Sequence, residues 1–163
     1  PNTEVKTIYR ESISYWFDQR MKETDRGPLL HSLETGDCEA AEDFINSQLA
    51  DTISYYDYAE NFYHGFLVGL LQGYHIKSNR EAGDGRFDLV IYGETIDDPC
   101  IVIECKHSET MRSLKADSER AARQIIDKRY IDEILDEGYL QCIGYGIVFC
   151  KKSCLITSVS SLT

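Results

Sequence analysis

Gly83-Asp84-Gly85-Arg86-Phe87-Asp88-Leu89-Val90-Ile91 and Ile101-Val102-Ile103-Glu104-Cys105-Lys106 are neighbouring apolar runs that alternate with the period of a half-buried strand. In the first, Leu89 and Ile91 share one face while Asp88, Val90 and Tyr92 share the other. In the second, Ile101, Ile103 and Cys105 oppose Val102, Glu104 and Lys106, so Glu104 and Lys106 stand side by side along the strand. The intervening Gly93-Glu94-Thr95-Ile96-Asp97-Asp98-Pro99 suits a hairpin loop and fits poorly in a central strand. A hairpin centred on residue 96 pairs Ile91 with Ile101, Val90 with Val102 and Asp88 with Glu104. Both carboxylates then project from one face, next to the lysine.

That grouping suits a particular chemistry. Two carboxylates on adjacent strands can hold Mg²⁺ or Mn²⁺, which take oxygen ligands and keep several waters, leaving room for a phosphate oxygen and an attacking water. Lys106 can hold or help deprotonate the water, or neutralise charge developing on a phosphoryl group. Glu-x-Lys by itself is common on solvated strands; the extended pattern is what points to a site. Gly83-Asp84-Gly85 is no phosphate-cradling loop, because it leads into a strand where dinucleotide and P-loop motifs lead into a helix.

Asn79-Arg80-Glu81-Ala82-Gly83-Asp84-Gly85-Arg86-Phe87-Asp88, a loop and Ile101–Lys106 together resemble the core of the PD-(D/E)XK nuclease superfamily. More narrowly they resemble the branch found C-terminal to AAA-ATPase-like domains in bacterial proteins. The likeness extends through Thr52–Asp57, Glu60 and Tyr63–Leu71 upstream and through Gln124-Ile125 and Lys128-Arg129-Tyr130 downstream. It implies an α/β fold with a restriction-endonuclease-like core, a central mixed β-sheet flanked by helices in the order α-β-β-β-α-β, plus extra N-terminal helices. It also implies that Asp88 and Glu104 ligate the metal, with the Cys105 backbone carbonyl and Glu60 beside them. Lys106 is then the catalytic lysine and Gln124 the site-facing residue of the following helix. Phe87 stands where the superfamily's name has proline, which removes a strand-fixing element.

The chain of 163 residues, 42% hydrophobic, can bury one full core. Residues 1–36 are expected as a helical linker or extension, and 37–163 as the nuclease-like domain. The first residue is Pro1 and not Met, which with the resemblance suggests a C-terminal piece whose partner is an N-terminal ATPase-like domain. There is no apolar run of membrane-spanning length and no signal-peptide pattern, so a cytoplasmic, membrane-free setting is expected. The six cysteines include no Cys-x-x-Cys, and Cys100, Cys105 and Cys142 lie in apolar runs, so reduced core thiols are favoured over a zinc site or disulfides.

A net charge of −11 opposes nucleic-acid binding. Its distribution softens the objection: residues 1–72 carry −8 and residues 73–163 only −3. Basic residues from Lys77 to Arg129, Arg120 among them, could line an approach to the site, and Arg86, Arg123 and Tyr130 are the expected substrate contacts. Affinity for DNA or RNA is expected to be weak in isolation. Three readings stay open: a metal-dependent nuclease, a non-catalytic interaction module, and another metal-dependent hydrolase using the same site. An exposed Lys106 would contribute little stability, so its removal is expected to leave the melting temperature near that of the parent.

The remaining pattern predicts a helix from Val5 to about Met21, broken at Arg26-Gly27-Pro28, and a short helical or irregular stretch over Leu29–Glu34. A second helix, capped by Asp37, runs to about Thr52, and a third from about Tyr58 to Gly73. Tyr74–Asn79 reads as the first strand, Ser113 to about Asp136 as one long helix closed by Gly138, and Gln141–Phe149 and Cys154–Thr157 as the last two strands.

Overall fold

The computed structural model describes residues 15, 18–51, 60–82 and 85–160, with backbone alone at 60, 61, 78–82 and 85–87. Most of the helix expected over Val5–Met21 lies outside the described residues, although 18–23 are helical. Helix α1 (Gly27–Thr35) starts where a break was expected, because Pro28 falls in its first turn, where a missing N–H costs nothing. Gly36, in the left-handed region at φ 79°, ends it. Asp37 then caps α2 (Cys38–Ala50), its Oδ1 accepting the Ala40 N–H at 3.1 Å. Helix α3 (Glu60–Leu70) follows, with the Arg26 guanidinium donating to the Leu70 carbonyl at 3.1 Å at its C-terminal end.

Five strands form one mixed sheet in chain order: β1 (Ile76–Ala82), β2 (Gly85–Ile91), β3 (Cys100–His107), β4 (Cys142–Cys150) and β5 (Ser153–Ser160). All neighbours are antiparallel except β3 and β4, which are parallel and joined by a helical crossover. The β2–β3 register is the one the hairpin loop dictates, with Ile91 opposite Ile101, Val90 opposite Val102 and Leu89 opposite Ile103. The first strand begins two residues later than its pattern suggests.

Strand alternation divides the core in two. Leu89, Ile91, Ile101, Ile103, Cys105, Tyr145, Ile147 and Phe149 pack with Leu29, Leu33, Ile45, Leu49, Leu67 and Leu70 of α1 to α3. Helix α1 therefore belongs to the main core. Val90, Cys100, Val102 and Cys142 pack on the other face, under Ile125, Tyr130, Ile131 and Ile134.

The helical crossover is two helices, not one. Helix α4 (Leu114–Asp127) stops and α5 (Tyr130–Asp136) restarts after Arg129, a non-glycine residue at φ 59°. Such a conformation costs about 1–2 kcal/mol. The turn redirects Tyr130, Ile131 and Ile134 onto Val90 and Val102, and each large apolar side chain so buried returns about 1.5–3 kcal/mol.

Candidate active site

The site is built on the sheet face under α4 and α5. Asp88, two residues before Val90, sits at the point where the β2–β3 ladder ends. Its Oδ2 accepts the backbone N–H of Cys105 at 2.8 Å, so the side chain continues the pairing that the backbone has stopped making. The ladder stops at Leu89–Ile103, so the expected Asp88–Glu104 pair is not formed; Glu104, next along β3, is only 2% exposed. A carboxylate so buried needs partners. Lys106, one pleat along β3, brings its Nζ to 3.1 Å from Glu104 Oε1, and Gln124 Nε2 on α4 donates to the same oxygen at 2.9 Å. The lysine side chain keeps 37% of its exposure, so its ammonium joins the buried carboxylate to solvent.

Gln124 reaches Glu104 because β4 lacks side chains where α4 lies closest. Gly146 is the β4 partner of Glu104, and Gly144 the partner of Val102. A Cβ on Gly146 would stand 2.5 Å from the Ser118 carbonyl oxygen and 2.6 Å from the Ala122 nitrogen, so the helix backbone rests on the strand. A Cβ on Gly144 would meet Ile125 and Val159 methyls at 2.9 Å. Reading β4 only as a buried apolar run missed these positions. The available signal was the i,i+2 glycine pair inside a strand, a mark of close approach by another backbone.

Among the remaining expected site residues, Tyr130 and Arg123 stand apart from Glu104. Glu60 opens α3, which packs through Tyr63, Phe66 and Leu67 on the opposite face; its side chain, like that of Arg86, lies outside the described residues. Tyr130 does not present itself to a substrate, being 1% exposed in the core beside Val90 and Val102. Arg123 is exposed but lines a shallow hollow with Glu119, Asp127, Thr157 and Val159, on the β5 flank of α4 and away from Glu104. Adjacent helical residues point about 100° apart, so Gln124 facing β3 turns Arg123 away from it.

Among the described residues no group of three or more His, Cys, Asp or Glu side chains could by itself hold a metal ion. The donors that do gather are oxygens: the carboxylates of Asp88 and Glu104 and the nearby main chain of Cys105. Such a set suits a hard divalent cation that retains waters, and does not suit zinc.

A mixed five-stranded sheet flanked by helices, with an acid on β2 and Glu-x-Lys on β3, is a restriction-endonuclease-like fold. The family model of the PD-(D/E)XK nuclease superfamily matches residues 58–159, and the chain belongs to that superfamily, whose members generally use divalent metals. No curated protein sequence matches it. Among solved structures it is similar to that of SSO0001, with 14% identity and a TM-score of 0.39 over 95% of this chain and 81% of that one. No helix among the described residues is long and apolar enough to cross a membrane.

Proposed function

We propose that the chain is a divalent-metal-dependent nuclease domain that hydrolyses phosphodiester bonds in DNA or RNA. The observation that carries this reading is the convergence of Lys106 and Gln124 on the buried carboxylate of Glu104, with Asp88 on the adjacent strand. Asp88, Glu104 and the Cys105 carbonyl would hold Mg²⁺ or Mn²⁺, and the family resemblance alone would add Glu60 at the start of α3. When bound, such a cation supplies Lewis-acid stabilisation of phosphate charge.

The chain's own residues have separate tasks. Gln124 fixes the orientation of Glu104 through its amide N–H, and the Cys105 N–H does the same for Asp88. Lys106 carries a partly exposed ammonium with three donors. Standing beside Glu104, it can donate to the attacking water or to a phosphate oxygen whose charge grows in the transition state.

The resemblance of residues 79–106 and their flanks supports a place C-terminal to an ATPase-like domain, in a bacterial cytoplasmic protein. The net charge of −11 favours a second reading, a nuclease-like module that binds a protein partner without cutting. Cleavage of duplex and single-stranded DNA and RNA, in Mg²⁺ or Mn²⁺ against a chelator, separates the two. Metal-dependent cutting that disappears in both Glu104→Gln and Lys106→Ala supports the nuclease. Absence of cutting under every condition, with the ATPase-like domain restored, supports the module.

A further inference from the structure

We infer that Arg120 forms a second phosphate contact beside the candidate site, gripping the nucleic-acid backbone next to the scissile phosphate. For the identity of its ligand this rests on the nuclease reading. The placement comes from two contacts that fix how α4 lies against β3. Near one end Ser108, 1% exposed and just past the end of β3, donates its hydroxyl to Asp117 Oδ2. Further along, Gln124 donates to Glu104. Asp117, Arg120 and Gln124 are spaced three and four apart, so they run along one flank of the helix.

The lengths agree. Seven residues of helix from Asp117 to Gln124 rise about 10.5 Å, and four residues of strand from Glu104 to Ser108 rise about 13 Å. Between these brackets stand Arg120 on the helix and Lys106 on the strand. Arg120 Nη1 lies 2.9 Å from Asp117 Oδ1, while its side chain remains 76% exposed. The guanidinium is thus held at one corner, with most of its five N–H donors directed to solvent.

An exposed i,i+3 ion pair contributes little to stability, so the fold has small use for it. Its geometry has another use. Asp117 is itself tied down by a buried serine, and a guanidinium anchored in this way loses less freedom when its free edge takes a phosphate in two parallel hydrogen bonds. Arg123, three residues on, faces β5 and serves as the internal comparison.

The test measures binding of fluorescein-labelled duplex DNA and single-stranded RNA by the full chain in Mg²⁺, with Asp88→Asn as background to suppress cutting. Arg120→Ala is expected to weaken binding about tenfold and to lower the slope of log affinity against log salt by about 0.9 for duplex DNA. Arg123→Ala should change neither. Unaltered binding by Arg120→Ala, equal losses in both variants, or no binding by any variant overturns the inference. Cleavage by the parent chain alongside unaltered Arg120→Ala binding overturns the subsite alone. Arg120-dependent binding without cleavage, also with the ATPase-like domain restored, leaves the subsite standing and overturns the nuclease reading.

Discussion

The Asp88 carboxylate takes the Cys105 N–H at 2.8 Å where the backbone ladder between their strands has just ended. One side chain therefore braces β3 and, on the proposed reading, would also offer oxygen to a cation. The two roles separate by mutation. Asp88→Asn keeps an acceptor oxygen for the Cys105 N–H but removes the charge. It should melt close to the parent and lose Mn²⁺ binding in calorimetry. Asp88→Ala removes the acceptor as well and should cost about 1–3 kcal/mol in denaturant titration. Equal Mn²⁺ binding by parent and Asp88→Asn would remove Asp88 from the metal set.

Lys106 is more than an exposed site lysine. Its ammonium stands 3.1 Å from a carboxylate that is 2% exposed, so removing it takes a cationic partner from a buried anion. Breaking a fully buried pair costs about 3–5 kcal/mol. The lysine is 37% exposed and water can partly replace it, so we expect about 1–2 kcal/mol for Lys106→Ala in chelator. The same change made in Glu104→Gln should cost distinctly less. A double-mutant cycle with no coupling would show that the pair contributes nothing to stability.

Gly146 should be the least replaceable glycine among those described. A methyl group there meets backbone atoms at 2.5 and 2.6 Å, which cannot swing aside as a side chain would. Gly146→Ala should cost at least about 1–3 kcal/mol, the usual range for overpacking. It should also slow metal-dependent cleavage, because lifting α4 withdraws Gln124 from Glu104. Gly65→Ala, in α3 with nothing within 4 Å of the new Cβ, should instead stabilise by about 0.5–1 kcal/mol. Chemical denaturation midpoints of the two variants, moving in opposite directions, are the readout.

The β2–β3 pairing was legible in sequence because a one-residue slip would flip every side chain to the other face, and the length of the intervening loop selects Val90 opposite Val102. Glu104 and Lys106 share a face for the same reason, whereas Gln124 was expected from the family resemblance alone. The break in the crossover helix was not legible. Lys128-Arg129 contains neither glycine nor proline, and the left-handed turn at Arg129 is selected by what Tyr130 and Ile131 bury, a tertiary cause with no local signature. Tyr130 is buried, against the expectation of a substrate contact, on that account. Arg123 precedes the break, and its direction away from Glu104 follows from Gln124 beside it facing β3.

Thiol chemistry offers a final test that needs no substrate. Cys38 is partly exposed, while Cys100, Cys105, Cys142, Cys150 and Cys154 are buried. In the native chain an aromatic disulfide reagent should therefore titrate one thiol promptly and the rest only on unfolding. Burial pushes the Cys142 thiol well above its ordinary value, with Cys100 adding to the shift, and does the same to Cys154, with the Glu42 carboxylate adding. Both thiols hold their protons in the folded chain after the unfolded chain has begun to release them. The unfolded state then binds fewer protons, so stability should fall as pH rises above the ordinary value of 9.0. These two groups contribute no slope below it. Urea midpoints measured from pH 7 to 10.5 should be compared with those of a Cys142→Ala, Cys154→Ala double variant. The parent should lose stability more steeply above pH 9, and parallel curves would show that these thiols do not hold the protons assigned to them.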